Sequence, residues 1–408
     1  MQLRFIFTLL TAVFLFGPAA VATARNSLVS LGPDARITLL TCSPGDDLYS
    51  IFGHSAVRVE DSAQDIDWVF NYGTFDFSDP NFYTNFVRGK LNYKLSVSEY
   101  RYFEYSYQRE NRWIWEQELN LTPGERQFLF DSLVLNYQPE NRYYLYDFFF
   151  DNCATRIRDI FVEALDRDFR FDYGALDQGL SFRELLMPYL SQKPWARLGI
   201  NLGLGMPADR IATPWDYMFL PDHMMTVFGD ATLRGADNTY EFISADATIL
   251  EGSDPAAGKF RITPLMVFLL VLMAAAAVSY GNSQAKKAAL WFDRILFGAA
   301  GLLGLLIAFL WFATDHQVTV WNLNILWAHP FHLVAVFFLA SDKYSGWLKY
   351  YFAVNLAILA VLVLSWPLLP QALPWVIFPL IVSLILRSAF LARRSRADQA
   401  WVAYFLKK

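Results

Sequence analysis

The chain has 408 residues, 55% of them hydrophobic and 18% charged, with 34 basic against 39 acidic side chains. This composition excludes a disordered chain, and the lack of a basic excess argues against nucleic acid as a partner. Two Cys exclude a disulfide framework and a Cys-rich zinc site, while aromatics at 17% suit work beside a lipid interface.

Residues 1–24 carry an early Arg4, an apolar run from Phe5 to Phe16 and a small-residue end at Ala22-Thr23-Ala24. That layout predicts a secretory signal peptide, with an uncleaved anchor as the alternative; either way the following residues are exported. Residues 25–259 are mixed in composition and predict one α+β domain. Arg36–Cys42 and His54–Glu60 suggest strands, the second alternating with period two; Asp67–Gly73 is a candidate hairpin partner, and Arg112–Glu118 alternates again. Thr122-Pro123-Gly124-Glu125 is a capping box that opens a helix toward Tyr137. The aromatic-rich stretch Tyr143–Phe150 suggests a buried strand. Asn152 is a candidate N-cap for a helix through Ala154–Leu165, and Ser181–Glu184 caps another.

After Lys259 the chain turns apolar, and residues 260–408 predict an all-α bundle of five membrane spans: Thr263–Tyr280, Phe292–Phe312, Ile325–Ala340, Tyr350–Leu369 and Pro374–Leu391. The third is short and carries His329 and His332. Lys286, Lys287 and Arg294, then Lys343 and Lys349, then Arg387, Arg393, Arg394, Arg396, Lys407 and Lys408 fall in alternate loops and the tail, while Thr314–Asn324 and Leu368–Pro374 have neither Lys nor Arg. By the positive-inside rule the first domain lies outside and the C-terminal tail in the cytoplasm.

The chemistry concentrates on Cys153 and His54. In the first turn of a helix, Cys153 meets unpaired N–H groups that favour a thiolate and an adjacent oxyanion. An imidazole supplies the accompanying base and acid near neutral pH. Spacing alone leaves other readings open: Cys153 as a small buried residue, His54 as a core histidine, or a Cys42–Cys153 disulfide, which export permits. His223 suits a helix start.

Leu40–Arg58 (LTCSPGDDLYSIFGHSAVR), Phe70–Phe77 (FNYGTFDF) and Asp151–Arg156 (DNCATR) together resemble the Lnb N-terminal periplasmic domain family, and Thr314–Pro330 (TDHQVTVWNLNILWAHP) resembles its transmembrane part. The resemblance implies a circularly permuted papain-like, NlpC/P60-type thiol fold. It also implies lipoprotein N-acyltransferase activity in a Gram-negative inner membrane of the Bacteroidota type, with a phospholipid as acyl donor, a lipoprotein as acceptor, a Cys153–His54 dyad and no cofactor. The family pattern further calls for a polar group that orients the imidazole. Strand logic offers Asn71, which also suits a turn start before Gly73, with Asp76 and Asp151 as rivals. Arg58 and Arg156 are candidate ligands for a lipid phosphate or else ordinary ion pairs, and His316, in an outward loop, for a headgroup. His329 and His332, spaced i and i+3, lack the carboxylate of a metal motif. Two other functions remain: a membrane-anchored cysteine peptidase or amidase acting on cell-wall peptides, and a non-enzymatic membrane scaffold with an exported binding domain.

Overall fold

A computed structural model describes residues 29–75, 80–90, 92–165, 168–234, 238–252, 262–280, 286–339 and 346–393. The expected signal peptide, Asp76, the change of character near Lys259, Lys343 and the basic tail beyond Arg393 lie outside the described residues. In chain order the N-terminal part runs β1 (Arg36–Cys42), β2 (His54–Asp61), β3 (Ile66–Thr74), α1 (Phe82–Arg88), β4 (Asn92–Glu99), α2 (Tyr100–Arg109), β5 (Ile114–Leu119), α3 (Pro123–Tyr137), β6 (Tyr143–Leu145) and α4 (Cys153–Leu165). It continues with β7 (Asp168–Arg170), α5 (Phe182–Leu186), α6 (Pro194–Gly203), α7 (Pro214–Tyr217), α8 (Pro221–Gly229), β8 (Thr232–Arg234), β9 (Thr239–Glu241) and β10 (Ile243–Leu250). Seven strands form an antiparallel sheet in the order β10-β5-β1-β2-β3-β4-β6, and β7-β8-β9 form a small second sheet.

Strand periodicity divides the apolar residues between two faces. Ile37, Leu39, Val57, Val59 and Phe70 pack with Leu129 and Leu133 of α3 and Ile157 and Phe161 of α4. Leu40, Cys42, Ala56 and Val69 pack on the opposite face with Tyr100, Phe103 and Tyr107 of α2. The central strands are therefore covered on both sides, which is why β1 is buried from Ile37 to Cys42. Thr122 closes the expected capping box over α3, and Ser181 does the same for α5.

Two expectations need correction. Tyr143–Phe150 is not one strand: only Tyr143–Leu145 pairs with β4. The Asp147 carboxylate then accepts the N–H groups of Phe149 and Phe150 at 2.9 and 3.0 Å, which turns the chain toward α4. Arg112 precedes β5 instead of joining it, because its backbone N–H bonds back to the Tyr107 carbonyl of α2 at 3.0 Å, while its guanidinium donates to the Ser43 carbonyl at 2.6 and 2.8 Å.

The C-terminal part consists of α9 (Pro264–Tyr280), α10 (Lys286–Phe312), α11 (Phe331–Leu339), α12 (Leu348–Leu364) and α13 (Phe378–Ala392). Ala288–Phe312 and Trp375–Ala392 are long and apolar enough to cross a membrane, and three shorter apolar segments accompany them. The expected third span is broken into a 3-10 turn, Leu323–Leu326, and α11. Asn322 accepts the Asn324 N–H at 3.0 Å, Asn324 accepts the Trp327 indole N–H at 2.9 Å, and Pro330 brings no N–H of its own to the break. Inside the bundle, Arg387 donates to both oxygens of Asp293 at 2.6 and 2.8 Å, with both side chains almost fully buried.

A polar seam joins the two parts. Asn322 donates to the Leu202 carbonyl at 2.8 Å, Gln371 to the Leu204 carbonyl at 3.0 Å, and the Ala372 N–H to Asp209 at 3.1 Å. Asp209 in turn holds the buried Arg183 at 2.9 Å. The Gly205 N–H donates to the Val318 carbonyl at 2.8 Å, and any side chain at Gly205 would run into the carbonyl of Val320. Farther out, the Trp195 indole donates to the Ile262 carbonyl at 2.8 Å, and the Asp315 N–H to the Arg88 carbonyl at 2.9 Å.

Candidate active site

His54 opens β2 directly opposite Cys42 of β1. The residue before it is Gly53, with φ +76°; a Cβ there would lie 2.9 Å from the Cys42 carbonyl oxygen, so this turn accepts only glycine. On the neighbouring strand, Val57 pairs with Phe70, which puts Asn71 on the same face as His54 and diagonal to it. Its Oδ1 lies 2.6 Å from His54 Nε2. Just beyond, the β3–β4 register slips between Asn71 and Thr74, a bulge with Gly73 at φ +85°. The Thr74 and Ser96 hydroxyls hydrogen-bond to each other at 2.7 Å, and the proton that remains is directed at the Asn71 carbonyl, which braces the bulge.

Cys153 begins α4 behind a cap that uses every polar group of Asn152. Asn152 Oδ1 accepts the Thr155 N–H at 2.9 Å, its own N–H donates to Thr155 Oγ1 at 2.8 Å, and its Nδ2 donates to the Phe148 and Phe219 carbonyls at 2.8 Å each. The half-buried Cys153 lies beside the His54 ring, near enough for the two groups to influence each other's charge, and the backbone N–H groups of Ser55 and Ala154 lie close to the sulfur. A Cβ on Gly73 would sit 3.6 Å from Cys153 Cβ, so the missing side chain leaves that flank of the sulfur open.

The electrostatics follow from this placement. Burial pushes the Cys153 thiol up, but the His54 charge and hydrogen bond, aided by the two N–H groups, outweigh it and hold the thiol below its ordinary range. Burial pushes His54 down, but the Cys153 charge and the bonds to Cys153 and Asn71 raise it above the ordinary imidazole value. The arrangement therefore favours a thiolate–imidazolium pair. With Nε2 engaged by Asn71, Nδ1 is the ring nitrogen left for the sulfur.

Beside this group stands Tyr144, which the sequence reading missed. Its hydroxyl is buried without a hydrogen bond of normal geometry and lies 4.0 Å from the Cβ position of Gly73. Its ring is covered by the Arg156 guanidinium at 4.1 Å. No local signal marks Tyr144; it arrives through the pairing of β6 with Tyr93 of β4.

The other candidates are placed elsewhere or occupied. Cys42 and Cys153 are both free, so the disulfide alternative is overturned. Cys42 points to the α2 face, where burial raises its thiol to about 12. Asp151 is ion-paired with Arg156 rather than with His54. Arg58 is held by Asp67 at 2.7 Å and Glu116 at 3.1 Å and lies 3.7 Å over the Tyr100 ring, the ion-paired arrangement that is one of its two readings. His223 lies on α8 beside Asp222. His316 sits where Gly89, after α1, meets the C-terminal part. The His329 and His332 rings stack at 3.9 Å and bond to Asn355, Trp327 and Tyr351. Among the described residues no group of three or more His, Cys, Asp or Glu is placed to hold a metal ion.

Two family models match the chain: the Lnb N-terminal periplasmic domain over residues 31–186, and the Lnb transmembrane domain over residues 256–397. No curated protein and no solved structure matches it.

Proposed function

The chain belongs to the Lnb family, with a periplasmic N-terminal domain and a C-terminal transmembrane domain, and on that footing we propose that it is a thiol-dependent lipoprotein N-acyltransferase of the inner membrane. The observation that carries the reading is the Cys153–His54–Asn71 arrangement, with His54 hydrogen-bonded to Asn71 and lying beside Cys153, as a nucleophile, base and orienting group would require. The Cys153 thiolate attacks an ester carbonyl of a phospholipid. The oxyanion is met by N–H groups at the start of α4 and by the Tyr144 hydroxyl, across the opening left by Gly73. His54 gives its proton to the departing oxygen, and a lysophospholipid leaves an acyl thioester on Cys153. The α-amine of a lipoprotein's lipid-modified N-terminal cysteine then attacks the thioester. His54 accepts the amine's proton, the thiolate departs and the amide is formed.

In this reading the N-terminal domain is a permuted papain-like fold in which the histidine strand precedes the cysteine helix, and the C-terminal part makes five passes. Every contact along the polar seam uses helix ends and loops that the basic-residue pattern assigns to the outer side: Ile262 before α9, Asp315 to Asn322 after α10, and Gln371 and Ala372 between α12 and α13. That agreement supports the topology. Both substrates carry acyl chains, so a site at the bilayer surface favours transfer over hydrolysis.

The test is an acyl adduct on Cys153, released by hydroxylamine and absent in Cys153→Ser, together with loss of one amide-linked acyl group from lipoprotein N-terminal peptides when the protein is removed. Full lipoprotein N-acylation in cells carrying Cys153→Ala refutes it. Cleavage of cell-wall peptides by the full chain would favour a peptidase instead.

A further inference from the structure

We infer that a strip of aromatic side chains leading from α1 to Cys153 is the bed of the donor's acyl chain, and that α1 is where that chain leaves the bilayer; the inference rests on the phospholipid-donor reading above. α1 has the sequence FYTNFVR and buries none of its residues. Tyr83, Phe86 and Val87 are 70%, 50% and 44% exposed, and their i, i+3, i+4 spacing gathers them on one face. Such an apolar face left open on a short helix marks an interaction surface.

The place of α1 identifies the partner as lipid. Its end is fixed to the loop after α10: the Arg88 carbonyl accepts the Asp315 N–H at 2.9 Å, Lys90 pairs with Asp315 at 3.6 Å, and Gly89, with φ +73°, packs so closely that a Cβ would lie 2.9 Å from the His316 nitrogen. That loop follows Phe312, at the end of the longest apolar helix among the described residues, and leads to the exposed Trp321, whose ring meets Trp311 at 5.3 Å. Tryptophans at the end of such a helix mark the bilayer interface. α1 therefore stands at the membrane surface with its apolar face uncovered.

Inward from α1 the rings follow one another. Phe86 meets Phe82 at 6.4 Å, Phe82 meets Phe75 at 5.6 Å, Phe75 meets Tyr93 at 5.2 Å, and Tyr93 meets Tyr146 at 4.4 Å. Tyr93, Tyr146 and Cys153 pack against the same hydrophobic cluster, which brings the strip to the nucleophile. Phe75, Tyr93 and Tyr146 are only half-buried. None of these side chains is charged at neutral pH, so the strip suits a hydrocarbon chain and offers little to a peptide or a headgroup.

The experiment uses the full chain and two donors: vesicles of dipalmitoyl phosphatidylethanolamine, and the water-soluble ester p-nitrophenyl acetate. Acyl-Cys153 formation is measured by mass spectrometry. In Phe86→Glu/Val87→Glu, the vesicle rate divided by the soluble-ester rate is expected to fall about tenfold. An unchanged ratio, including one in which both rates drop together, overturns the inference. In Phe75→Ala, the preference for dipalmitoyl over dilauroyl lipid is expected to change about threefold, a ratio independent of how much protein folds. An unchanged preference overturns the inference for the inner strip. If the unaltered protein forms an adduct from the soluble ester but none from vesicles, the donor reading itself falls and takes the strip with it, a result distinct from failure of the variants alone.

Discussion

Replacing Asn71 with Ala removes the side-chain acceptor that lies 2.6 Å from the far nitrogen of the His54 ring, the only one among the described residues. A hydrogen bond to a charged partner contributes about 1.5–3 kcal/mol, or about one to two pKa units on the group it holds. The raised His54 value should therefore drop by that amount. Cys153, held low mainly by the His54 charge, keeps its value so long as His54 is still protonated when the thiol ionises. The productive pair exists above the thiol value and below the imidazole value, so the variant narrows this window from its alkaline side. Iodoacetamide alkylation of Cys153 reads the acid limb, which should stay at the parent pH. Acylation of Cys153 by ester, which also needs the imidazolium as acid, should give a narrower and lower bell. Asn71→Asp should move the alkaline limb the other way, since a carboxylate favours the imidazolium. If both variants keep the parent pH profile, Asn71 does not orient or tune His54.

Tyr144→Phe is expected to slow acyl-enzyme formation by about 10²- to 10³-fold, as loss of an oxyanion donor does, while leaving Cys153 alkylation at the parent rate. Because the hydroxyl is buried without a bond of normal geometry, the same change should raise the melting temperature, a gain in stability at the expense of rate. In the membrane part, Arg387→Met leaves Asp293 buried without its main partner and should cost about 3–5 kcal/mol in detergent unfolding. Arg387→Met/Asp293→Leu should recover most of that loss; a double variant as unstable as the single would contradict the buried-pair argument.

Where local chemistry decides structure, the sequence was readable. A strand-like stretch marked β1 and alternation marked β2, the Thr122 and Ser181 boxes marked two helix starts, and Asn152 marked the turn that presents Cys153. Where distant partners decide, it was not. β10 has a mostly exposed face and becomes a strand by pairing with β5 across more than a hundred residues of chain. Tyr143–Phe150 has the composition of a strand, yet a single Asp147 carboxylate turns it. The Ile325–Ala340 stretch is apolar enough for a span, but Asn322, Asn324 and Pro330 break it. At the site, the motif residues could be named from sequence, but only the register of β3 on β2 sets Asn71 diagonal to His54, and only β6 on β4 brings Tyr144 beside Gly73. For Arg58 the sequence offers a phosphate ligand or an ion pair, and only strand pairing sets it between Asp67 and Glu116.

The seam at Gly205 has a mechanical consequence. Asn322 and Gln371 grip backbone carbonyls of the α6 end, and Gly205 leaves no space for slack against Val320. A sulfur mounted on such a frame has no arm with which to swing out and collect a lipid. Its height above the bilayer is set once, when the chain folds, and the substrates must do the travelling. The search is then two-dimensional, and the fluidity of the surrounding leaflet helps to set how often a donor arrives.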